Sequence, residues 1–333
     1  MLENYWYIAC KSSRLKRVPI AIRLFDKPIV LFRNNEGQAH ALEDRCRHRN
    51  ASLSCGKVVD GTVQCPYHGW RYDGAGRLVE IPYSTQLPNE TIPAYTCYEQ
   101  EGYVWVCVGT PDESSKPYSF PHLSTEGWTS FRLDTLFKGS VESCLENFLD
   151  CPHATQVHKA WFRSPTTKLV KAVVRSLDDG AVAEYFNEPR EKSVVWSLLS
   201  PTGEEMKHTD RFIAPATSQV DYQFSKGRQY TISSCCTPID DKTTRVHTVI
   251  SFKYGKLGAL VRLFFQPLSL FIIRQDVQIM RQQHDNIERF GQPKFKVIPE
   301  DLLFSPIYKW RQALKEGKAP PEAGEKTDVE LRL

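Results

Sequence analysis

No block of like charge runs through this chain: 43 Lys and Arg stand against 39 Asp and Glu, so a net charge of +4 is spread over 333 residues. With no zinc-finger, helix-turn-helix or RNA-binding signature beside it, that balance gives no reason to expect a nucleic-acid partner. No internal repeat is present. The opening Met1-Leu2-Glu3-Asn4-Tyr5-Trp6 lacks the charged and then apolar layout of a signal peptide, so a cytoplasmic location is expected. The most apolar stretch, Leu257–Ile273, is interrupted by Arg262, Gln266 and Pro267 and falls short of a comfortable membrane span. A buried core helix or pocket wall is predicted there in preference to an interfacial helix, and no membrane contact is expected.

What is present suits a folded chain with a sizeable core: 41% hydrophobic and 25% charged residues, over a length that accommodates two domains. Strand-like segments at Tyr5–Ala9, Ile20–Phe25, Lys27–Arg33, Gly61–Gln64, Arg71–Tyr72 and Gly102–Val108 are separated by turn signals at Asn34-Asn35, Asp60-Gly61 and Asp73-Gly74. They predict a small all-β domain over 1–115. A linker rich in Pro and Ser ends it, and an α+β domain with an antiparallel sheet is predicted over 116–315. Its elements are a helix over Ser143–Val157, strands near Leu169–Arg175, Val182–Phe186, Ser193–Leu199, Gln229–Thr237 and Thr244–Phe252, and a long helix over Leu257–Phe290. Residues 316–333 are expected to form a mobile tail.

The ten cysteines read as reduced thiols in that compartment, and those clustered with His as metal ligands. Cys46-Arg47-His48 and Cys65-Pro66-Tyr67-His68-Gly69-Trp70 are separated by sixteen residues. Each half supplies one Cys and one His. A [2Fe–2S] cluster with two thiolates on one iron and two imidazoles on the other requires that mixture, whereas a Cys2His2 zinc finger groups its cysteines in one knuckle and its histidines in the other. Cys55 lies between the pairs and is read as a packed thiol. Cys10, Cys97, Cys107, Cys144, Cys235 and Cys236 have no ligand spacing.

A second cluster lies at Glu146-Asn147-Phe148-Leu149-Asp150-Cys151-Pro152-His153-Ala154-Thr155-Gln156-Val157-His158. Imidazoles five residues apart diverge by roughly 140° on an ideal helix, so the helix must end or turn between them, with Pro152 a cause through its predecessor. Two His and one carboxylate on one face of ferrous iron leave positions open for O2. Asp276 is the best candidate for the third ligand, with Asp285 and Glu288 as competitors. His247 and His284 lack partners at useful spacing.

Taken together, Cys46-x-His48, Cys65-Pro66-Tyr67-His68-Gly69-Trp70, Asn147-x-x-Asp150-x-x-His153-x4-His158 and the opening Asn4-Tyr5-Trp6-Tyr7-Ile8-Ala9 resemble the Rieske non-heme iron oxygenases, most closely those of the vanillate O-demethylase type. Gly102-Tyr103-Val104-Trp105-Val106 and Thr237-Pro238-Ile239-Asp240 extend the likeness. Asn50 departs from it where many relatives have Gly, and Cys151-Pro152 is an unusual filler. The resemblance implies a Rieske domain followed by a helix-grip (START-like) catalytic domain, and it supports Asp276. It implies a [2Fe–2S] cluster, mononuclear Fe(II), O2 as co-substrate and NAD(P)H used through a separate ferredoxin or flavin-type reductase. It also implies a homotrimer in which Asp150 relays electrons between subunits, with Asn147 beside the iron ligands. The activity implied is monooxygenation, by hydroxylation or O- or N-demethylation, of a small aromatic or polycyclic molecule. The alternative is a Rieske electron carrier or scaffold with an inactive second site.

Overall fold

The computed structural model describes residues 1–159, 161, 168–186, 188, 193–195, 206–224 and 227–332. The chain forms two compact units, one of Met1–Ser119 with Thr237–Asp240, the other of Phe120–Cys236 with Asp241–Leu333.

The first unit is built from β1 (Tyr7–Lys11), β2 (Ile20–Leu24), β3 (Lys27–Arg33), β4 (Ala39–Glu43), β5 (Lys57–Val59), β6 (Thr62–Gln64), β7 (Arg71–Tyr72), β8 (Leu78–Glu80), β9 (Ala94–Gln100) and β10 (Tyr103–Cys107). Six strands run in the order β1-β10-β9-β4-β3-β2 and four in the order β5-β6-β7-β8. In β10, Tyr-Val-Trp-Val-Cys is buried at every position, the composition a central strand with both faces covered requires. Strands β4, β5, β8 and β9 carry no clear period in the sequence; β9 alternates only between exposed and half-buried positions. The buried cluster of Val30, Phe32, Leu42, Leu53, Val63 and Tyr72 also contains Cys46 and Cys65, so the two thiols are part of this core. Backbone bonds from Phe25 N to Pro238 O (3.0 Å) and Asp26 N to Ile239 O (2.7 Å) explain why Thr237–Asp240 counts with this unit.

The second unit contains β11 (Trp128–Lys138), α1 (Val141–Leu149), β12 (Leu169–Leu177), β13 (Gly180–Phe186), β14 (Met206–Ile213), β15 (Thr217–Phe224), β16 (Gln229–Asp240), β17 (Thr243–Lys253), α2 (Gly258–Phe290), α3 (Phe304–Glu316) and β18 (Lys326–Arg332). The strands form one sheet in the order β11-β17-β16-β15-β14-β13-β12-β18. Strands β14 and β15 escape the sequence pattern because their inward positions are partly polar: His208, Asp210, Thr217 and Ser218 are all buried. The expected strand Ser193–Leu199 falls mostly outside the described residues. Helix α2 packs on β11, and a Cβ on Gly258 would stand 2.0 Å from Thr129 Oγ1, so the helix start approaches that strand as only glycine allows.

Three expectations are corrected. The tail is not mobile throughout: β18 pairs antiparallel with β12 from Leu169–Arg332 to Arg175–Lys326, and Leu331 is buried. Strand β12 would otherwise leave its edge open. Cys55 is exposed rather than packed, because it ends the 3-10 turn Leu53–Cys55, of which Leu53 takes the buried position. Of the two readings of α2, the pocket wall holds, since Phe265, Ser269, Ile272 and Ile273 line a cavity, but the buried core helix does not, since Leu260, Leu263 and Phe264 are exposed.

Helices α1 and α3 are tied by Glu142, which accepts from Arg311 Nε at 2.8 Å and Lys315 Nζ at 2.6 Å. Burial alone would raise this carboxyl; Arg311, with Lys315, pulls it down to about 2. A carboxyl held below its unfolded value, about 4.3, adds stability that is present above that pH and is lost as pH falls through about 2. Glu142→Gln, which leaves the buried Arg311 without its counter-charge, is therefore expected to cost about 3 kcal/mol in urea unfolding at neutral pH and to remove part of the acid limb of the stability profile.

Candidate metal centres

In the first unit, two loops of identical backbone design face each other. Cys46 N donates to Ala51 O (2.9 Å) and Asn50 N returns to Cys46 O (2.9 Å); Cys65 N donates to Trp70 O (2.8 Å) and Gly69 N returns to Cys65 O (3.2 Å). Each loop turns through a left-handed residue four positions after its cysteine, Asn50 at φ +60° and Gly69 at φ +74°. Asn tolerates that region next best to Gly, which accounts for Asn50. At Gly69 a Cβ would also crowd Pro82 Cγ at 2.9 Å.

The loops bury Cys46 and Cys65 in the core and leave His48 and His68 half-buried, with ring centroids 4.5 Å apart. His48 stacks on Trp70, 4.7 Å away with the ring planes nearly parallel, and Trp70 Nε1 donates to Tyr83 OH at 2.9 Å. The Nδ1 atoms of both histidines are buried without a hydrogen-bond partner. Burial, His68 and Arg49 push the His48 imidazole toward its neutral form, the form that binds metal. Burial likewise pushes the Cys65 thiol up, so a thiolate there requires the charge of a bound metal. Tyr72 OH lies 3.5 Å from Cys46 Sγ and accepts from Arg47 N at 3.2 Å. Two buried sulfurs and two imidazole nitrogens with free lone pairs are the donor set a [2Fe–2S] cluster takes.

In the second unit the helix expected over Ser143–Val157, with its break between the two histidines, instead ends ahead of both: α1 stops at Leu149, and Asp150 at φ −91° and ψ 91° takes the chain out of the helix. Cys151, the residue before Pro152, keeps helical angles, and Pro152 instead opens the 3-10 turn Pro152–Thr155. Two different backbone segments therefore aim His153 and His158, whose ring centroids lie 5.2 Å apart. Asp276, from α2, completes the group: one ligand atom from each of His153, His158 and Asp276 lies within 4.8 Å of the others. His158 Nε2 stands 3.0 Å and His153 Nε2 3.4 Å from Asp276 Oδ1, which is nonetheless buried without a hydrogen bond. Converging lone pairs that do not form hydrogen bonds fit a cation between them. Burial would raise the Asp276 carboxyl, but the two imidazoles draw it down to about 2. Asp285 is exposed and Glu288 pairs with Lys242 at 3.0 Å, so neither competitor joins the group. His247 is buried 3.5 Å from Asp134 and is not one of the converging donors.

Asp150 gives its backbone carbonyl to His153 Nδ1, and its carboxylate stands 3.8 Å from the same nitrogen. Burial pushes this carboxyl up, against the pull of His153. Asn147 lines the same cavity as the three donors, with Nδ2 buried and without a partner.

Two features were not legible in the sequence. Gln275 Oε1 takes the other nitrogen of His158, Nδ1, at 2.8 Å, fixing the ring through its second edge; its only signal is adjacency to Asp276. His208 lies in the cavity wall between the rings of Tyr185 and Tyr222 at 4.4 and 4.3 Å, with Nδ1 on Glu188 (2.9 Å) and Nε2 on Asp210 (3.0 Å). Burial would lower this imidazole, but Asp210, Tyr222 and Glu188 raise it well above its ordinary value. The i, i+2 spacing of His208 and Asp210 on one strand face is the clue that was available.

A first unit with a mixed Cys/His pair of loops and a second with two imidazoles and a carboxylate define an oxygenase of the Rieske class. The chain belongs to that family: residues 5–95 match the Rieske [2Fe-2S] domain and residues 137–301 the vanillate O-demethylase oxygenase C-terminal domain. It is 34% identical to the 4beta-methylsterol monooxygenase of Methylococcus capsulatus over 76% of this chain and 69% of that protein. To the chloroplastic chlorophyllide a oxygenase of Chlamydomonas reinhardtii it is 27% identical over 97% of its own length but spans half of that longer protein. Dicamba monooxygenase bound to dicamba superposes with a TM-score of 0.82 at 19% identity, over 95% of this chain and 98% of that one, which shows a shared fold.

Two measurements check these centres. Tyr72→Phe is expected to lower the cluster midpoint potential, by roughly 60 mV if the lost hydrogen bond favours the reduced state by about 1.4 kcal/mol, as read by redox titration of its spin-resonance signal. Asp276→Ala should lose mononuclear iron while keeping the cluster, Gln275→Ala should bind that iron about 10–100-fold more weakly, and Asp285→Ala should match wild type in metal analysis.

Proposed function

We propose that the chain is the oxygenase component of a Rieske non-heme iron monooxygenase, with Cys46, His48, Cys65 and His68 holding the [2Fe–2S] cluster and His153, His158 and Asp276 holding the mononuclear iron. The observation that carries this reading is the convergence of His153, His158 and Asp276 on the wall of a cavity that is otherwise largely apolar. When bound, the cluster supplies electrons from a separate NAD(P)H-dependent reductase of ferredoxin or flavin type, and the iron supplies O2 activation. His153, His158 and Asp276 would hold the iron, a ligand set that would leave it open positions for O2. A carrier or scaffold with a dead second site would have no need of the outer bonds that fix His153 to Asp150 and His158 to Gln275.

The cavity selects the substrate class. Phe148, Val220, Ile232, Ile250, Phe265 and Ile272 offer a hydrocarbon wall, while Ser218, Ser234 and Thr248 supply hydroxyls along the sheet side. A compact aromatic or polycyclic body with one or two polar groups matches that lining, and the methylsterol named for the 34%-identical relative is of this kind. Oxidation of a methyl group, as hydroxylation or demethylation, is the reaction assigned. Oxygen uptake with a reductase and a panel of methylated aromatics and sterols tests the reading; uptake that leaves every candidate unmodified and yields only peroxide would refute it.

Asp150 is the positioning residue between subunits of a homotrimer. Its carboxylate beside His153 is half exposed, free to hold a cluster histidine of a neighbouring copy. Asp150→Asn is expected to keep both metals but to slow turnover by about 10–100-fold, as loss of other outer ligand partners does. Mixed trimers of His48→Ala and His153→Ala chains should recover part of the activity that each homotrimer lacks.

A further inference from the structure

Helix α2 is apolar on two faces, and the metal cavity uses only one. Phe265, Ser269, Ile272 and Asp276 line the cavity. On another face Leu257, Leu260, Phe264 and Phe271 recur at the three-, four- and seven-residue spacing that stacks side chains along a helix. They are exposed at 61%, 58%, 64% and 42%, with Leu263 beside them at 67%. The helical region Gly255–Phe290 is long and apolar enough to cross a membrane by length and composition, yet only 22% of its most apolar window is buried. A contiguous patch of this kind marks an interaction surface.

Charge decides what covers it. From Lys242 to Gln275 the sequence holds six Lys and Arg and no Asp or Glu. Lys253, Lys256 and Arg262 are exposed around the start of the stripe. Arg262 reaches Gln266 on its own helix, and among the described residues no carboxylate pairs with Lys253 or Lys256. Beside them Arg228 lies over the ring of Tyr254, 5.0 Å from its centroid, an amphipathic aromatic of the sort that settles at a lipid headgroup boundary. An isologous contact with a second copy would set this segment against itself, cation against cation, and a heterologous contact of the kind a trimer uses is an outcome that sedimentation reads. Apolar side chains rimmed by unpaired cations match an anionic bilayer surface: the hydrocarbon enters the acyl boundary while Lys and Arg remain among the headgroups.

We infer that the helical segment from Leu257, just before α2, to Phe271 docks the protein on anionic membranes, lying in the interface rather than spanning it. Arg262, Gln266 and Pro267 interrupt the stretch as a span, and the cavity face of the helix stays engaged with protein. The cavity wall then lies one helix diameter, about 10 Å, from the lipid, a short path for an apolar substrate dissolved there. The inference stands apart from the metal chemistry, because its readout is binding and not turnover.

The test is flotation of the full chain with phosphatidylcholine vesicles, with and without phosphatidylglycerol. Wild type should float with the anionic vesicles and be released as salt is raised. Leu260→Ser/Phe264→Ser should lower the partition coefficient about a hundredfold, since two large apolar side chains lose their burial. Lys253→Glu/Lys256→Glu should lower it at least about tenfold on anionic vesicles. Cluster absorbance reports that each variant is folded, and the lysine pair carries the test should the apolar pair misfold. Wild type that stays unbound with both vesicle types overturns the inference. So does a folded Leu260→Ser/Phe264→Ser variant that binds as well as wild type, or one whose sedimentation shows a smaller oligomer, which would make the stripe a contact between copies.

Discussion

A carboxylate buried in α2 meets two imidazoles presented from the turns that follow α1, and the second unit is arranged around keeping them together. Asp276 is more than a hundred residues from His158 in sequence, yet its Oδ1 lies 3.0 Å from that ring. Holding a charged oxygen in a low-dielectric wall is costly unless a counter-charge fills the gap. Every element around it serves that placement: α1 ends at Asp150 so that the chain can turn twice, Gln275 holds the outer edge of His158, and Gly258 lets α2 approach β11.

The first unit solves a different problem with repeated means. Its sulfurs must be buried to exclude water, while its imidazoles must stay near the surface to exchange electrons. Two copies of one loop design do this. The cysteine at the start of each loop is sealed into the core with Tyr72 and Val63, and the left-handed residue near its end turns the chain back beyond the histidine. The aromatic support is unequal, since Trp70 stacks on His48, so the two imidazoles do not meet the same surroundings.

His208 complicates a picture of the cavity as merely greasy. An imidazole gripped by Glu188 and Asp210 and stacked between two tyrosines is a rigid polar feature in an apolar wall. Such a network is stable only when all its members are satisfied, which makes this side of the cavity the least tolerant of substitution. A substrate that leaves its polar group at that wall would be oriented by it.

Short-range chemistry was written in the sequence. Mixed Cys/His loops, two histidines at a spacing that one helix cannot present together and a long apolar stretch followed by a carboxylate are local patterns, because metal ligation and helix periodicity demand particular residues at particular spacings. Strand β10 was legible for the same reason, its five residues being apolar throughout. Strands β14 and β15 were not, since their inward faces carry His208, Asp210, Thr217 and Ser218 for contacts made across the sheet. The tail read as mobile from its composition, but its partner β12 lies about 150 residues earlier and offers an edge that only the assembled sheet creates. Exposure of one face of α2 was hidden as well, because hydrophobicity records what a side chain prefers, while packing decides which faces the protein itself can cover. The sequence by itself determined the ligand types and the two-domain order; which carboxylate meets the histidines, what braces them and which apolar surface is left over were decided by tertiary structure, where residues far apart in the chain come within a few ångströms.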